Sequence, residues 1–355
     1  MLRGSYRPMI PRRPTSADVA ARAGVSRTTV SFVLNGRDDA ISAATRARVI
    51  DAARQLGYHP HAPARQLAGG TSQTIGLVLR QSPEQVAGDA LLAETLRGMT
   101  AAARLGGFRV IVEALEPNGG RYADLLRSGR TDGLVVSGPR VDDPDLRDIV
   151  RDRFPVVLQG SMPDLDVTSV DVDNRAGARG AVEHLIALGH RRIGCVTNAP
   201  LAYTAASERL DGYRDALRGA NIEPRPEWIV EAAFDAGSGH LAMARLLDRG
   251  PLDAVFVASD VVAFGALGAL RAANRRVPED ISVVGFDDIP LAAFLDPPLT
   301  TVRLPAYELG HALGTALLDR IAHPAAARRT LLPTELVVRS STGPPRSATV
   351  ARRAH

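Results

Sequence analysis

A single cysteine, Cys195, stands in 355 residues, so no intramolecular disulfide can form and a buried thiol in a reducing compartment is expected. Aromatic residues are scarce at 4%, against 45% hydrophobic residues overall and 23% charged, which is the composition of a soluble globular protein. No run of eighteen apolar residues exists to cross a membrane. The N-terminal MLRGSYRPMIPRRP is basic and Pro-rich but lacks the apolar segment and small-residue cleavage site of an export signal, so a cytoplasmic location is expected. Also missing are a Gly-x-Ser-x-Gly elbow, a phosphate loop, a Gly-x-Gly-x-x-Gly fingerprint and His/Cys metal spacing. Those absences argue against an enzyme, and no catalytic residue, cofactor or metal is expected. The adjacent acids Asp287 and Asp288 sit at a strand end, where neighbouring side chains diverge instead of pairing for acid-base work.

Glutamate is absent from residues 1–70, where eleven Arg face four Asp for a net charge of +7, while the remainder carries a net −3. A concentrated basic end on a near-neutral body is the electrostatic footprint of phosphate-backbone binding. Within it, TSADVAARAGVSRTTVSFVLN reads as two helices and a turn. Thr15 followed by Asp18 is a short-carboxylate capping box that starts a helix at Ser16. Val19, Ala20 and Ala23 form its apolar face, and Gly24 supplies the positive φ of a sharp turn. Ser26 caps a second helix whose Val30, Val33 and Leu34 turn inward while Arg27, Thr28 and Ser31 project outward. A third helix, about 45–56, presents Val49, Ile50, Ala53 and Leu56 to the same core. Helix, Gly turn, helix is a DNA-binding arrangement.

From Thr74 onward, short apolar runs alternate with helical patterns: IGLVL, FRVIVEAL, DGLVVSG and PVVLQG, then a second round beginning at SVDVDN and continuing through RRIGCVTN, AVFVASD and ISVVGFDD. Alternation of this kind predicts two α/β lobes with parallel sheets, each binding ligand beyond the carboxyl ends of its strands. The tail LTTVRL, a helix about 305–322 and the strand LLPTELVVR are long enough to cross back and complete both lobes.

The run D-V-A-x-x-A-G-V-S-x-x-T-V-S-x-V-L-N, followed by I-S-x-x-T-R-x-R-V and L-G-Y-x-P, resembles the headpiece of the lactose and galactose repressor family. V-D-N-x-x-G, L-G-H-R-R-I, R-L-x-G-Y, A-S-D, V-V-G-F-D-D and P-P-L-T-T-V resemble that family's effector domain, which is similar in fold to periplasmic sugar-binding proteins. The resemblance implies an all-α helix-turn-helix headpiece followed by an α/β, two-lobed, periplasmic-binding-protein-like effector domain. It implies a homodimer on a pseudo-palindromic double-stranded DNA operator, controlled by a small molecule, with a sugar as the expected class. Arg27 and Thr28 fall where the family reads base edges, and Phe32 stands where it usually has Arg. Thr15, Ser16, Ser26, Thr29, Ser31 and Asn35 are expected to position phosphates, with capping or solvent contact as the alternative. In the hinge, Ala64 and Leu67 keep the family motif, Leu67 as a minor-groove wedge, while Pro63 shortens the hinge helix.

For the effector, the resemblance carries over Arg209 and Asp287, which share hydroxyls of a sugar or ribose unless they are an interlobe salt bridge. Phe234 stacks on the ligand ring or belongs to the core, and Ser259 takes an often amide-bearing position. The first loop departs from the family and leaves Arg80, Gln81, Ser82, Leu91 and Leu92 as substitutes, Arg80 pointing to an anionic or highly hydroxylated effector. Val172 and Leu304 depart as well. The expected division is a disordered tail 1–14, headpiece 15–60, hinge 61–72, effector and dimerisation domain 73–342, and a disordered tail 343–355. Within the domain, one lobe takes about 73–170 and 302–333, the other about 171–301 and 334–342. A sugar receptor without DNA regulation is the rival reading, opposed by the basic headpiece.

Overall fold

The computed structural model of the chain describes residues 14–34, 40–58, 71–116, 119–323 and 326–346. Two compact units divide it, Met1–Ser72 and Gln73–His355. The expected contributions of Asn35, of the hinge residues Pro63, Ala64 and Leu67, and of most of both tails lie outside the described residues.

Local chemistry builds the first unit. Helix α1, Ser16–Ala23, starts where the Thr15 hydroxyl accepts the Asp18 amide and the Asp18 carboxylate accepts the Thr15 amide at 2.7 Å, and it stops at Gly24 with φ +63°. Helix α2, Arg27–Leu34, is capped by Ser26 Oγ, which accepts the Thr29 amide at 3.1 Å. Helix α3, Ala43–Leu56, runs from a Ser42 cap to Gly57 at φ +62°. Val19, Ala20, Ala23, Val30, Val33, Val49, Ala52 and Ala53 close the core. Ile50 departs from expectation: it is 44% exposed, and Ala52 takes the inward place. Val49, Ala52 and Ala53 are spaced three and four apart, which puts Ile50 one helical step, about 100°, off the buried face. Arg22 fastens α1 to α3 through two bonds to Gln55 Oε1 at 2.9 and 2.6 Å.

The second unit begins with β1 (Thr74–Leu79), the short α4 (Pro83–Ala87), α5 (Leu92–Leu105), β2 (Arg109–Ala114), α6 (Tyr122–Arg127), β3 (Gly133–Ser137), α7 (Pro144–Arg151), β4 (Val156–Gln159) and β5 (Thr168–Val172). It continues with α8 (Asn174–Ala187), β6 (Ile193–Val196), α9 (Thr204–Gly219), β7 (Ile229–Val230), α10 (Ala236–Asp248), β8 (Ala254–Val257), α11 (Asp260–Ala272) and β9 (Ser282–Val284). It ends with β10 (Thr301–Arg303), α12 (Ala306–Ala322), β11 (Arg329–Leu332) and β12 (Glu335–Val337). One all-parallel sheet runs β11-β5-β4-β3-β1-β2 and a second runs β7-β6-β8-β9, with β10 and β12 pairing antiparallel beside them. The central strands are apolar because helices cover both faces, while the edge strands β2 and β11 stay partly exposed.

Two readings of this unit change. SVDVDN does not open the second lobe: its strand β5 pairs with β4 and with β11, so it is the last but one strand of the first sheet. Its five residues look like any buried parallel strand, and membership is decided by its partners, β4 just before it and β11 more than a hundred residues on. LLPTELVVR is two strands instead of one, broken at Pro333 and Thr334, since proline has no amide to give a ladder. Helices pack through glycine: a Cβ on Gly98 would overlap the Tyr307 carbonyl of α12, one on Gly212 the Arg175 carbonyl of α8, and one on Gly265 the Ala236 carbonyl of α10.

Candidate functional site

A cavity of about 150 Å³ opens where the two sheets present their strand ends to each other. Gln81 follows β1, Ser137 ends β3, Gln159 ends β4, Asn198 follows β6, Ser259 follows β8 and Asp287 follows β9; all line it. A parallel sheet gathers polar loop residues at its carboxyl edge, and two sheets facing edge to edge gather two sets around one space.

Arg209, on α9, is the central cation. Its Nε donates to Asn174 Oδ1 at 2.8 Å and its Nη1 to the Ala258 carbonyl at 2.6 Å and Asp287 Oδ1 at 3.4 Å. The guanidinium stacks on the Phe286 ring, 3.8 Å from its centre. Asn174 in turn donates to Asp171 Oδ2 at 2.9 Å and to Glu208 Oε2 at 3.3 Å, so the guanidinium is fixed by a chain of bonds. Asp287 and Asp288 both hold positive φ, 119° and 53°, and their carboxylates do diverge: Asp287 meets Arg209, while Asp288 meets Arg303 at 2.8 Å and Arg339 at 2.6 Å. Burial pushes Asp287 up to about 6, with Arg209 opposing the rise, and pushes Asp171 up to about 7. Asp260, buried behind them, is held high by burial and by Asp287 while it accepts Thr301 Oγ1 at 2.6 Å and the Ile289 amide at 3.1 Å.

Phe234 lines the cavity with φ +72° and meets Tyr203 edge to face, ring centres 4.9 Å apart. Leu91, Val261, Ile289 and Leu304 add apolar wall. Positive φ costs a bulky residue of order 1 kcal/mol or more, and such strain concentrates at ligand sites. Asn198, not singled out from sequence, lines the cavity with its buried Oδ1 unpartnered among the described residues. Tyr203, Gln159, Asp171 and Asp89 also went unnoticed. Only their common place at strand ends and loop edges could have marked them.

Arg80 and Ser82 do not line this cavity. Arg80 turns into the first lobe, 2.8 Å from Asp143 and 3.3 Å from Asp145, with its Nε donating to the Tyr122 hydroxyl at 3.1 Å. That clasp neutralises its charge and removes the case for an anionic effector. Ser82 instead caps α4, accepting the Gln85 amide at 3.3 Å. Val172, fully buried, does not line the cavity either. A larger cavity of about 490 Å³ between α12 and the strands β5 and β11 holds His311, Thr315, Arg320 and Arg328 but none of the expected residues, so ligand chemistry is argued from the smaller one.

In the first unit, Arg27 and Thr28 are exposed at the start of α2, and Phe32 is 45% exposed one turn on. Ser16 and Ser31 are half-buried; Thr15, Ser26 and Thr29 are occupied in caps, with Ser26 Oγ and Thr29 Oγ1 2.9 Å apart. A capping hydroxyl retains acceptor and donor capacity toward a phosphate.

Residues 15–61 match the bacterial regulatory proteins of the lacI family, and residues 182–342 match the periplasmic binding protein-like domain. The chain is 38% identical over 339 residues, 93% of its length and 98% of the relative's, to the HTH-type transcriptional regulator CelR of Thermobifida fusca. The chain belongs to the lacI family. It is 36% identical over 335 residues, 92% of its length and 96% of the relative's, to the HTH-type transcriptional repressor CytR of Escherichia coli strain K12. Its fold superposes with a TM-score of 0.81 on the lac repressor dimer bound to operator and the anti-inducer ONPF, at 32% identity over 94% of this chain and all of that one. A CelR-cellobiose complex gives 0.73 at 36% identity over 93% of this chain and all of that one. This lacI-family chain is therefore a DNA-binding transcriptional regulator with a helix-turn-helix and a two-lobed α/β domain, and its family is one of regulators, not enzymes. No helix among the described residues is long and apolar enough to cross a membrane.

Proposed function

We propose that this protein is a cytoplasmic, non-enzymatic repressor that grips a pseudo-palindromic operator as a homodimer and is switched by an uncharged sugar or sugar derivative in the interlobe cavity. The observation that carries the ligand class is the set of carboxylates and amides at opposite strand ends, with one guanidinium from α9, around a single cavity with an aromatic edge. Carboxylate and guanidinium accept from and donate to the same hydroxyls, and an aromatic face covers the apolar side of a pyranose or furanose. Arg209, Asp287, Phe234, Ser259 and Leu91 are the effector contacts in this reading, and Arg80 and Ser82 hold the first loop. Arg27 and Thr28 read bases with Phe32 against a thymine methyl, and Thr15, Ser16, Ser26, Thr29, Ser31 and Asn35 position phosphates. Ala64 and Leu67 form the hinge wedge, with boundaries near 15–60, 61–72 and 73–342. Binding of a sugar moves the lobes and alters the hinge, so operator affinity changes.

The ligand assignment is tested by calorimetry with ribose and cellobiose on the intact protein and on Arg209→Ala. Loss of a buried charged hydrogen-bond donor of this kind weakens binding on the order of a hundredfold. Unchanged affinity would place the sugar elsewhere.

A further inference from the structure

The segment joining β1 to α5 is where the first lobe reaches toward the second. Gln85 Nε2 donates to the Ala233 carbonyl at 3.5 Å, and Leu91 packs against the apolar cluster of the second lobe as well as the cluster beneath it. Between these two contacts lies Asp89, which lines the same cavity as Asp287. Burial holds its carboxyl above the ordinary range against the backbone amides that bind it, Oδ1 accepting that of Leu91 at 2.9 Å, and no cation among the described residues offsets it. Arg209 is the cavity's one guanidinium among the described lining residues, and it is already bonded to Asn174, Ala258 and Asp287. The groups facing Asp287 are thus Arg209 from α9, Ser259 and Asp260 from the start of α11, and Asp89 from across the cavity, Asp288 being turned to Arg303 and Arg339. Two carboxylates lining one partly dry cavity repel far more than they would in water.

We propose that Asp89 is a specificity residue of this regulator: with Asp287 it forms a pair of carboxylates from opposite lobes that closes on an uncharged polyhydroxylated effector and rejects one bearing phosphate or carboxylate. The proposal rests on the sugar reading of the cavity and narrows it. Hydroxyls of a neutral sugar donate to both carboxylates and remove the repulsion between them. An anionic group would enter among Asp89, Asp171 and Asp287 with the single guanidinium already committed. Burial, and to a smaller degree the charge of Asp89, hold the Asp287 carboxyl above its ordinary range.

The pair is tested first without ligand, by thermal unfolding of the full chain carrying Asp89→Asn, Asp287→Asn or both, at pH 7.5 and pH 5. The asparagine amide oxygen still accepts the Leu91 amide, so the loop is kept. Asp89→Asn should raise the melting temperature by about 2 °C at pH 7.5, lose that gain at pH 5 where Asp287 is largely protonated, and gain less beside Asp287→Asn, where only the burial cost of Asp89 itself is left. A shift equal at both pH values, or one undiminished in the Asp287→Asn background, overturns the pairing. Calorimetry with ribose and ribose 5-phosphate then reads selectivity: the unaltered protein should prefer ribose, and Asp89→Asn should narrow the preference about tenfold, roughly one uncompensated charge contact. Equal binding of the phosphorylated sugar by the unaltered protein overturns the selectivity. If neither ribose nor cellobiose binds, the sugar reading fails, while the unfolding measurements still decide whether the carboxylates are paired.

Discussion

A guanidinium commits its charge to the carboxylates that the fold brings within reach, and Arg80 and Arg209 illustrate both outcomes. Arg209 has one acid and two neutral acceptors and stays at the cavity wall; Arg80 has two acids and a tyrosine and is withdrawn from it. Both stand in short strings that suggested ligand contact, but the acids that claim Arg80 lie some sixty residues on, in a loop that no local pattern connects to it. Burial acts as decisively on Asp171, whose carboxyl is raised to about 7. The unfolded carboxyl has its ordinary value, so the folded chain binds this proton more tightly. The stability it contributes is complete below pH 4 or so and is lost as pH rises through 7, at ~1.4 kcal/mol per unit of pKa difference. Asp287, raised to about 6, adds to the same slope. Melting temperature should therefore fall between pH 5 and 8, and Asp171→Asn should flatten that fall. An identical pH profile in the variant would show that Asp171 is ionised throughout.

At the scale of elements, the headpiece helices were legible because their signals are local: Thr15 with Asp18, Gly24 and Ser26 each act within three or four residues, and each does so in the structure. The lobes were legible as alternating strands and helices but not in their strand membership, since β5 is placed by β4 and β11 and not by its own residues. Least legible were the glycines on which helix pairs close. Gly239 and Gly265 bring α10 and α11 together, Gly98 and Gly310 do so for α5 and α12, and neither spacing announces its partner helix. Because the Ala236 backbone occupies the place of a Cβ at Gly265, Gly265→Ala must push the helices apart. Overpacking of this kind costs ~1–3 kcal/mol, to be read as a lower midpoint in urea. Gly219 on α9 has open space at its Cβ, so Gly219→Ala is the comparison: it should be neutral or stabilising by up to ~1 kcal/mol. Equal destabilisation of both would mean that helix contact is not what glycine serves at 265.

Across the whole molecule, charge is partitioned by function. The chain has no lysine, so all 43 of its basic residues are arginine, and eleven of them fall in the first seventy positions against four acids. The body instead places carboxylates around its cavity and pairs most of its arginines with acids, as at Arg80, Arg303 and Arg339. Arginine suits both tasks, giving a delocalised charge to phosphates and a planar fork to guanine. These two uses separate in a titration of the intact protein on a symmetric operator, followed by fluorescence anisotropy. If a dimer neutralises about six phosphates, affinity should fall on the order of a thousandfold between 50 and 200 mM salt. Arg27→Ala at the exposed start of α2 should act differently. Removing a bidentate base contact costs ~1–3 kcal/mol at the base it reads, so the variant should lose its ranking of operators altered at that base while the salt slope changes by no more than about one phosphate equivalent. A weaker but unchanged ranking, with a shallower slope, would make Arg27 a phosphate contact and leave base reading to Thr28 and Phe32.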